Sequence, residues 1–97
     1  MELALVVGSI VASVKEPRLT GTKLLLVETA GADGTSAGGP PYIAVDLVGA
    51  GDGEVVMVTR GSPAGRALDL QGVPVDAAIV GIVDAVRAGG RSAFEKS

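Results

Sequence analysis

The residues in this chain that could do chemistry are few. Asp46, Asp76 and Asp84 flank or interrupt apolar runs, and Lys23 is an amine within reach of a carboxylate mechanism. Carboxylates confined to apolar surroundings sometimes form catalytic acid–base pairs. The simpler reading is preferred: each accepts turn N–H groups or meets an arginine such as Arg60 or Arg66. Asp84 is the odd one, breaking an otherwise apolar run, which places it as a candidate for a subunit contact. Ser62, within Arg60-Gly61-Ser62-Pro63-Ala64-Gly65, looks at first like a nucleophile. The spacing is not that of a nucleophile elbow, and with no histidine in the chain nothing activates the hydroxyl. Gly49-Ala50-Gly51-Asp52-Gly53 invites a phosphate-loop reading. It lacks the G-x-G-x-x-G spacing, and a strand pattern follows it instead of the helix N-terminus that would hold a pyrophosphate. A tight turn needing positive φ explains the glycines better.

The totals narrow the field further. The 97 residues suit one domain spanning 1–97. With neither cysteine nor histidine there is no disulfide, no thiolate metal site and no Ser-His-Asp or Cys-His arrangement. No catalytic, cofactor-binding or metal-ligating residue is assigned, and the chain is read as not an enzyme. A domain this small buries a modest fraction of its surface, so association is the remaining route to added stability. The net charge is −3, the pI is about 4.7, and Tyr42 and Phe94 are the only aromatics. Lys15, Arg18 and Lys23 make no basic stripe, since Glu16 lies among them. Nucleic acid would need such a stripe or a stacking platform. No apolar run approaches the roughly 20 residues of a membrane helix. The leading segment carries Glu2 and no basic residue, unlike a signal peptide, so the expected location is the cytoplasm.

Mostly strands are left to position these residues. Leu3 to Val14 is rich in β-branched residues and reads as a long first strand, with Gly8 marking a bend or bulge. Lys15 to Gly21, with Pro17, is a connection. Lys23 to Glu28 is a second strand, and Gly31 to Pro41 a flexible surface loop. Tyr42 to Val48 and Glu54 to Arg60 are strands three and four, read as a hairpin through the glycine turn. Ser62 to Gly72 is the one helix: Ser62 caps it, Pro63 opens it, Gly72 ends it, and Leu68 and Leu70 let it cover a barrel end. Ala77 to Val86 lacks a polar helical face, so a strand buried on both sides is favoured over a helix. Residues 87–97 are a polar tail anchored by Phe94. The expected fold is mainly β: a small five-stranded OB-like barrel with one short helix between the last two strands.

Five stretches in this order carry a resemblance. They are Val7-Gly8, Leu19-Thr20-Gly21-Thr22-Lys23, Asp46-Leu47-Val48-Gly49-Ala50-Gly51, Val58-Thr59-Arg60-Gly61-Ser62 and Pro74-Val75-Asp76-Ala77-Ala78-Ile79-Val80. Through them the chain resembles the EutN/CcmL family of bacterial microcompartment vertex proteins over nearly its whole length. The loop 31–41 departs most from that pattern. The resemblance implies a homopentamer that closes the corners of a polyhedral shell in the cytoplasm, whose facets are hexameric proteins of another fold. It implies structural roles for Gly49, Ala50 and Gly51 at a glycine turn and for Arg60, Gly61 and Ser62 at a strand-to-helix corner. Asp76 and Asp84 complete the assembly candidates. The competing class is an OB-like binding module for nucleic acid or a small anion; a small enzyme using Asp or Lys stands behind it.

Overall fold

The computed structural model describes residues 1–13, 17–19, 21–61, 64 and 76–97. Seven strands occur in chain order among them: β1 (Glu2–Ile10), β2 (Lys23–Thr29), β3 (Tyr42–Asp46), β4 (Val55–Arg60), β5 (Ala77–Ile82), β6 (Ala85–Ala88) and β7 (Arg91–Glu95). The first five close into a barrel in the order β1-β2-β3-β5-β4, and β6-β7 forms a separate two-stranded sheet. Closure removes most of the exposed edge that an open sheet would present.

Side chains alternate across a strand, and that alternation builds the interior. Ala4 and Val6 of β1, Leu25 and Val27 of β2, Ala44 of β3, Val56 and Val58 of β4, and Ala77 and Ile79 of β5 form one buried cluster. Alanine and valine dominate it, which suits the narrow bore of a five-stranded barrel. Two register shifts adjust the fit. One lies between Val6 and Gly8 on β1, where the sequence placed a bulge. The other lies between Met57 and Val58, where Met57 faces Gly81 and Val58 faces Ile79.

Several expectations change. The first strand stops at Ile10, and Val11 beyond it is 95% exposed. Strands three and four do not form a hairpin: β3 pairs with β2 and, in parallel, with β5, whereas β4 pairs with β1 and β5. The glycine turn therefore crosses an end of the barrel. Its Gly53 N–H donates to Val6 O and its Glu54 O accepts from Val6 N–H, which carries β4 to the far side of β1. The apolar run 77–86 is likewise not one strand. β5 ends at Ile82, Asp84 sits at a bend, and β6 begins at Ala85.

The segment read as a polar tail supplies β7 of a hairpin whose turn is Gly89-Gly90, with φ of 59° and 76° at the two glycines. Positive φ at both central residues is the backbone of a type I′ hairpin turn. The expected anchor holds its own chain: the Phe94 ring lies on Gly34 in the loop 31–41, which buries that glycine. The loop is itself organised by an Ala30–Ser36 bridge and by Asp33, whose carboxylate accepts from the Thr35 N–H at 3.0 Å and hydroxyl at 2.8 Å. The helix expected over 62–72, with Leu68, Leu70 and Arg66, lies outside the described residues apart from Ala64. Ala64 is buried, and its N–H donates to Gly61 O. Pro17–Leu19 is a short 3-10 turn within the expected connection.

Candidate assembly site

The inward alternation continues to the strand ends, where the residues turn polar and plug the bore. At one end Asp46, the last residue of β3, has a side chain only 1% exposed. Its Oδ1 accepts from the N–H groups of Val48 (3.1 Å) and Gly49 (3.2 Å), and its Oδ2 from Ala50 (2.9 Å). Lys23, the first residue of β2, places Nζ 3.7 Å from Asp46 Oδ2 and donates to Ala50 O. Asp46 thus behaves as the simpler sequence reading expected, accepting turn N–H groups, with a lysine as its cation in place of an arginine.

Gly49, Ala50 and Gly51 are built around this carboxylate. Gly49 holds φ of 80°, a conformation costly for any residue with a Cβ. Gly51, which the glycine-turn reading also singled out, is not among the positive-φ glycines, and its N–H donates to Glu54 Oε1 at 2.8 Å. Ala50 is fully buried. The N–H groups of residues 48–51 and of Gly53 are therefore all taken by internal acceptors. Two of those acceptors are carboxylates, so the turn offers no cradle to an anion. Glu54 also receives Lys96 Nζ at 2.6 Å, which ties the β6-β7 sheet to this end. The Lys96 ammonium, helped by the Gly51 N–H, holds Glu54 below the usual carboxylate range, and Glu54 in turn raises Lys96.

The opposite end carries a cluster that the sequence reading missed. Glu2, Thr29, Tyr42 and Arg60 are the inward-facing terminal residues of β1 to β4. Glu2 Oε2 accepts from the Tyr42 hydroxyl and from Thr29 Oγ1 at 3.0 Å, and lies 3.8 Å from an Arg60 guanidinium nitrogen. The same guanidinium stacks 4.1 Å from the centre of the Tyr42 ring. The tyrosine bond, opposed by burial and aided by Thr29 and Arg60, holds Glu2 below its ordinary value. Burial first, then the Glu2 carboxylate, keeps the phenol protonated far above its usual range. The available signal was alternation itself, since each of these residues is in phase with the buried positions of its strand.

Gly61 meets Asp76 here. Gly61 N–H donates to Asp76 O at 2.7 Å, and Arg60 pairs with Ala77 in the ladder. The expected corner is thus closed through the Asp76 backbone, with its side chain exposed. Ser62 lies outside the described residues. Asp84 is exposed, and its carbonyl accepts the Lys96 N–H at 2.8 Å. Asp46, Asp76 and Asp84 do not converge: Asp46 and Asp76 cap opposite ends. Among the described residues no three of His, Cys, Asp and Glu cluster as a metal site would require.

What remains available is the outer wall. On the β2-β3 flank, Leu24 and Leu26 are half-buried, Ile43 opposite Leu26 is 49% exposed, and Glu28 continues the same outward row. On the β1-β4-β5 flank, Leu3 pairs with Met57, whose methyl group covers Gly81 closely enough that a Cβ there would lie 2.4 Å from it. These are two different surfaces on one small subunit.

Comparison with known proteins gives these surfaces a context. The family model described as "Ethanolamine utilisation protein EutN/carboxysome" matches residues 1–84. The bacterial microcompartment shell vertex protein EutN of Salmonella typhimurium (strain LT2) is 44% identical over 96 residues, covering 99% of this chain and 96% of that protein. A solved structure of ethanolamine utilization protein EutN superposes with a TM-score of 0.90 at 41% identity, covering both chains fully. The GrpN pentameric microcompartment shell protein of Rhodospirillum rubrum superposes with a TM-score of 0.78 at 41% identity, over 91% of this chain and 98% of that one.

Proposed function

The chain belongs to the EutN/carboxysome family, and from that premise we propose that it is a structural subunit assembling with itself into a ring of five that closes the vertices of a bacterial microcompartment shell. The observation that carries the reading is the contrast between the bore and the wall. The bore is filled by small apolar side chains and sealed at each end by polar groups that satisfy one another. Groups paired in this way are spent on stability and, among the described residues, leave no reactive side chain poised for a substrate. The wall keeps two unlike apolar flanks. A ring needs that asymmetry, because each subunit presents one face to the neighbour on its left and a different face to the neighbour on its right.

The partners follow from geometry. A flat sheet of hexagonal tiles closes only if five-fold points are inserted, so the other components are the hexameric shell proteins that tile the facets. The ring sits at the corners, within the cytoplasm, and the chain itself catalyses nothing. Reconstitution tests the reading: the hexameric shell protein is assembled with and without this chain and imaged by electron microscopy. Closed polyhedra that depend on the chain are expected, with open sheets or tubes in its absence. Equally closed shells without it would overturn the vertex role.

A further inference from the structure

Among the described residues, the β6-β7 sheet is the least self-sufficient element. A lone two-stranded hairpin is at best marginally stable in water, and among the described residues this one is held to the rest of its chain by Phe94 on Gly34 and Lys96 on Glu54. Ala85, Arg87, Ala88, Arg91, Ser92 and Glu95 are all exposed. Its outer strand edges are unpaired among the described residues, and such edges invite a second chain.

Charge indicates which chain. The net charge of −3 is unevenly divided: residues 85–97 contribute Arg87, Arg91 and Lys96 against Glu95, hence +2, which leaves −5 on residues 1–84. Arg87 and Arg91 have no ion pair among the described residues, so a cationic arm projects from an anionic body. The same chain offers a complementary surface. On the β2-β3 flank, Leu24, Leu26 and Ile43 form an apolar row that continues into Glu28, a carboxylate likewise without an ion pair among the described residues. Glu28 also stands opposite Leu5 of β1, so this carboxylate lies at the edge of the row, where β2 meets β1.

We infer that the β6-β7 hairpin is a docking arm for a second copy of this chain, with Arg87 and Arg91 drawn to Glu28 beside the Leu24–Leu26–Ile43 row of the neighbour. The inference rests on the ring reading and names the surfaces that build it. Opposite charge on arm and body steers the heterologous contact, while like charge on two bodies disfavours the symmetric one.

The test uses the full chain and native mass spectrometry, with circular dichroism melting as a check on the barrel. Arg87→Glu combined with Arg91→Glu is expected to reduce the five-membered species at least about tenfold without unfolding the barrel, and adding Glu28→Arg is expected to restore it. Because the chain has no cysteine, Ile43→Cys with Ser92→Cys supplies an independent readout. Oxidation should give a ladder of covalent oligomers on a denaturing gel. A ring that survives the double arginine reversal, or a cysteine pair that closes only within one chain, overturns the inference and leaves the ring reading standing. A wild-type chain that is monomeric overturns the ring reading, and the arm with it.

Discussion

The barrel and the C-terminal hairpin are both antiparallel strand structures for the most part, yet they differ in what holds them. In the barrel every strand contributes side chains to one buried cluster, and the polar residues at the ends answer one another. In the hairpin Phe94 rests on the chain's own loop and Val86 is half-buried, while most neighbours face solvent. The difference teaches that one part folds because it closes on itself, and the other is shaped to be completed. The matched family model ends at residue 84, the boundary between the two.

That contrast can be broken by mutation. The largest effect is expected from Ile79→Ala, which empties a fully buried site on β5; chemical denaturation should show a loss of about 2–5 kcal/mol. Val86→Ala on the hairpin should cost less than about 1 kcal/mol, because its site is only half-buried. Equal losses at the two positions would remove the distinction.

The seam between the regions comes next. At Gly34, φ is 81° and an added Cβ would sit 2.5 Å from the Phe94 ring. Gly34→Ala should therefore cost about 1–3 kcal/mol. Combining it with Phe94→Ala should cost less than the two single changes added together, since the clash is then gone. Strict additivity in that double-mutant cycle would mean that the ring does not rest on the glycine.

A smaller effect separates two glycines of one turn. Gly49→Ala should lower stability by about 1 kcal/mol, since its φ is 80°. Gly51→Ala should stay within about 0.5 kcal/mol, because a Cβ there meets nothing closer than Glu54 Oε1 at 3.8 Å. Reversal of that order would refute the account of the turn around Asp46.

Acid should sharpen the comparison. Glu2 and Glu54 are both held below the ordinary value of 4.5. Folding therefore favours their ionised forms; the stabilisation is fully present above that value and is lost as pH falls through the depressed range. Glu2→Gln should flatten the acid limb of the barrel's melting profile, and an unchanged slope would contradict the Tyr42–Glu2 bond. The smallest change is expected from Lys96→Met. It should leave the melting midpoint unmoved and speed hydrogen exchange in β6 and β7, as expected of a locally opening element.

Much of this was legible in the chain. Runs rich in β-branched residues marked most of the barrel strands, and Gly8, read as a bend or bulge, lies at the register shift of β1. Asp46 was read as a carboxylate that accepts turn N–H groups or meets an arginine, and it does the first. The β3–β4 hairpin misled because a glycine-rich turn between two strands ordinarily joins neighbours. Here Asp46 draws the turn inward, and Gly53 and Glu54 bond to Val6, so the chain crosses the bore. The final hairpin was hidden because Arg87, Arg91 and Ser92 dilute the apolar pattern, although Gly89-Gly90 between two short runs is the signature of a two-residue turn. The Glu2–Thr29–Tyr42–Arg60 cluster was out of sight for another reason. Its members are far apart in sequence, and only strand order brings them together.

The most direct test is the mass of the intact wild-type assembly in native conditions at micromolar concentration. The account predicts a particle of five copies that persists on dilution through that range. A mass equal to one chain would contradict it.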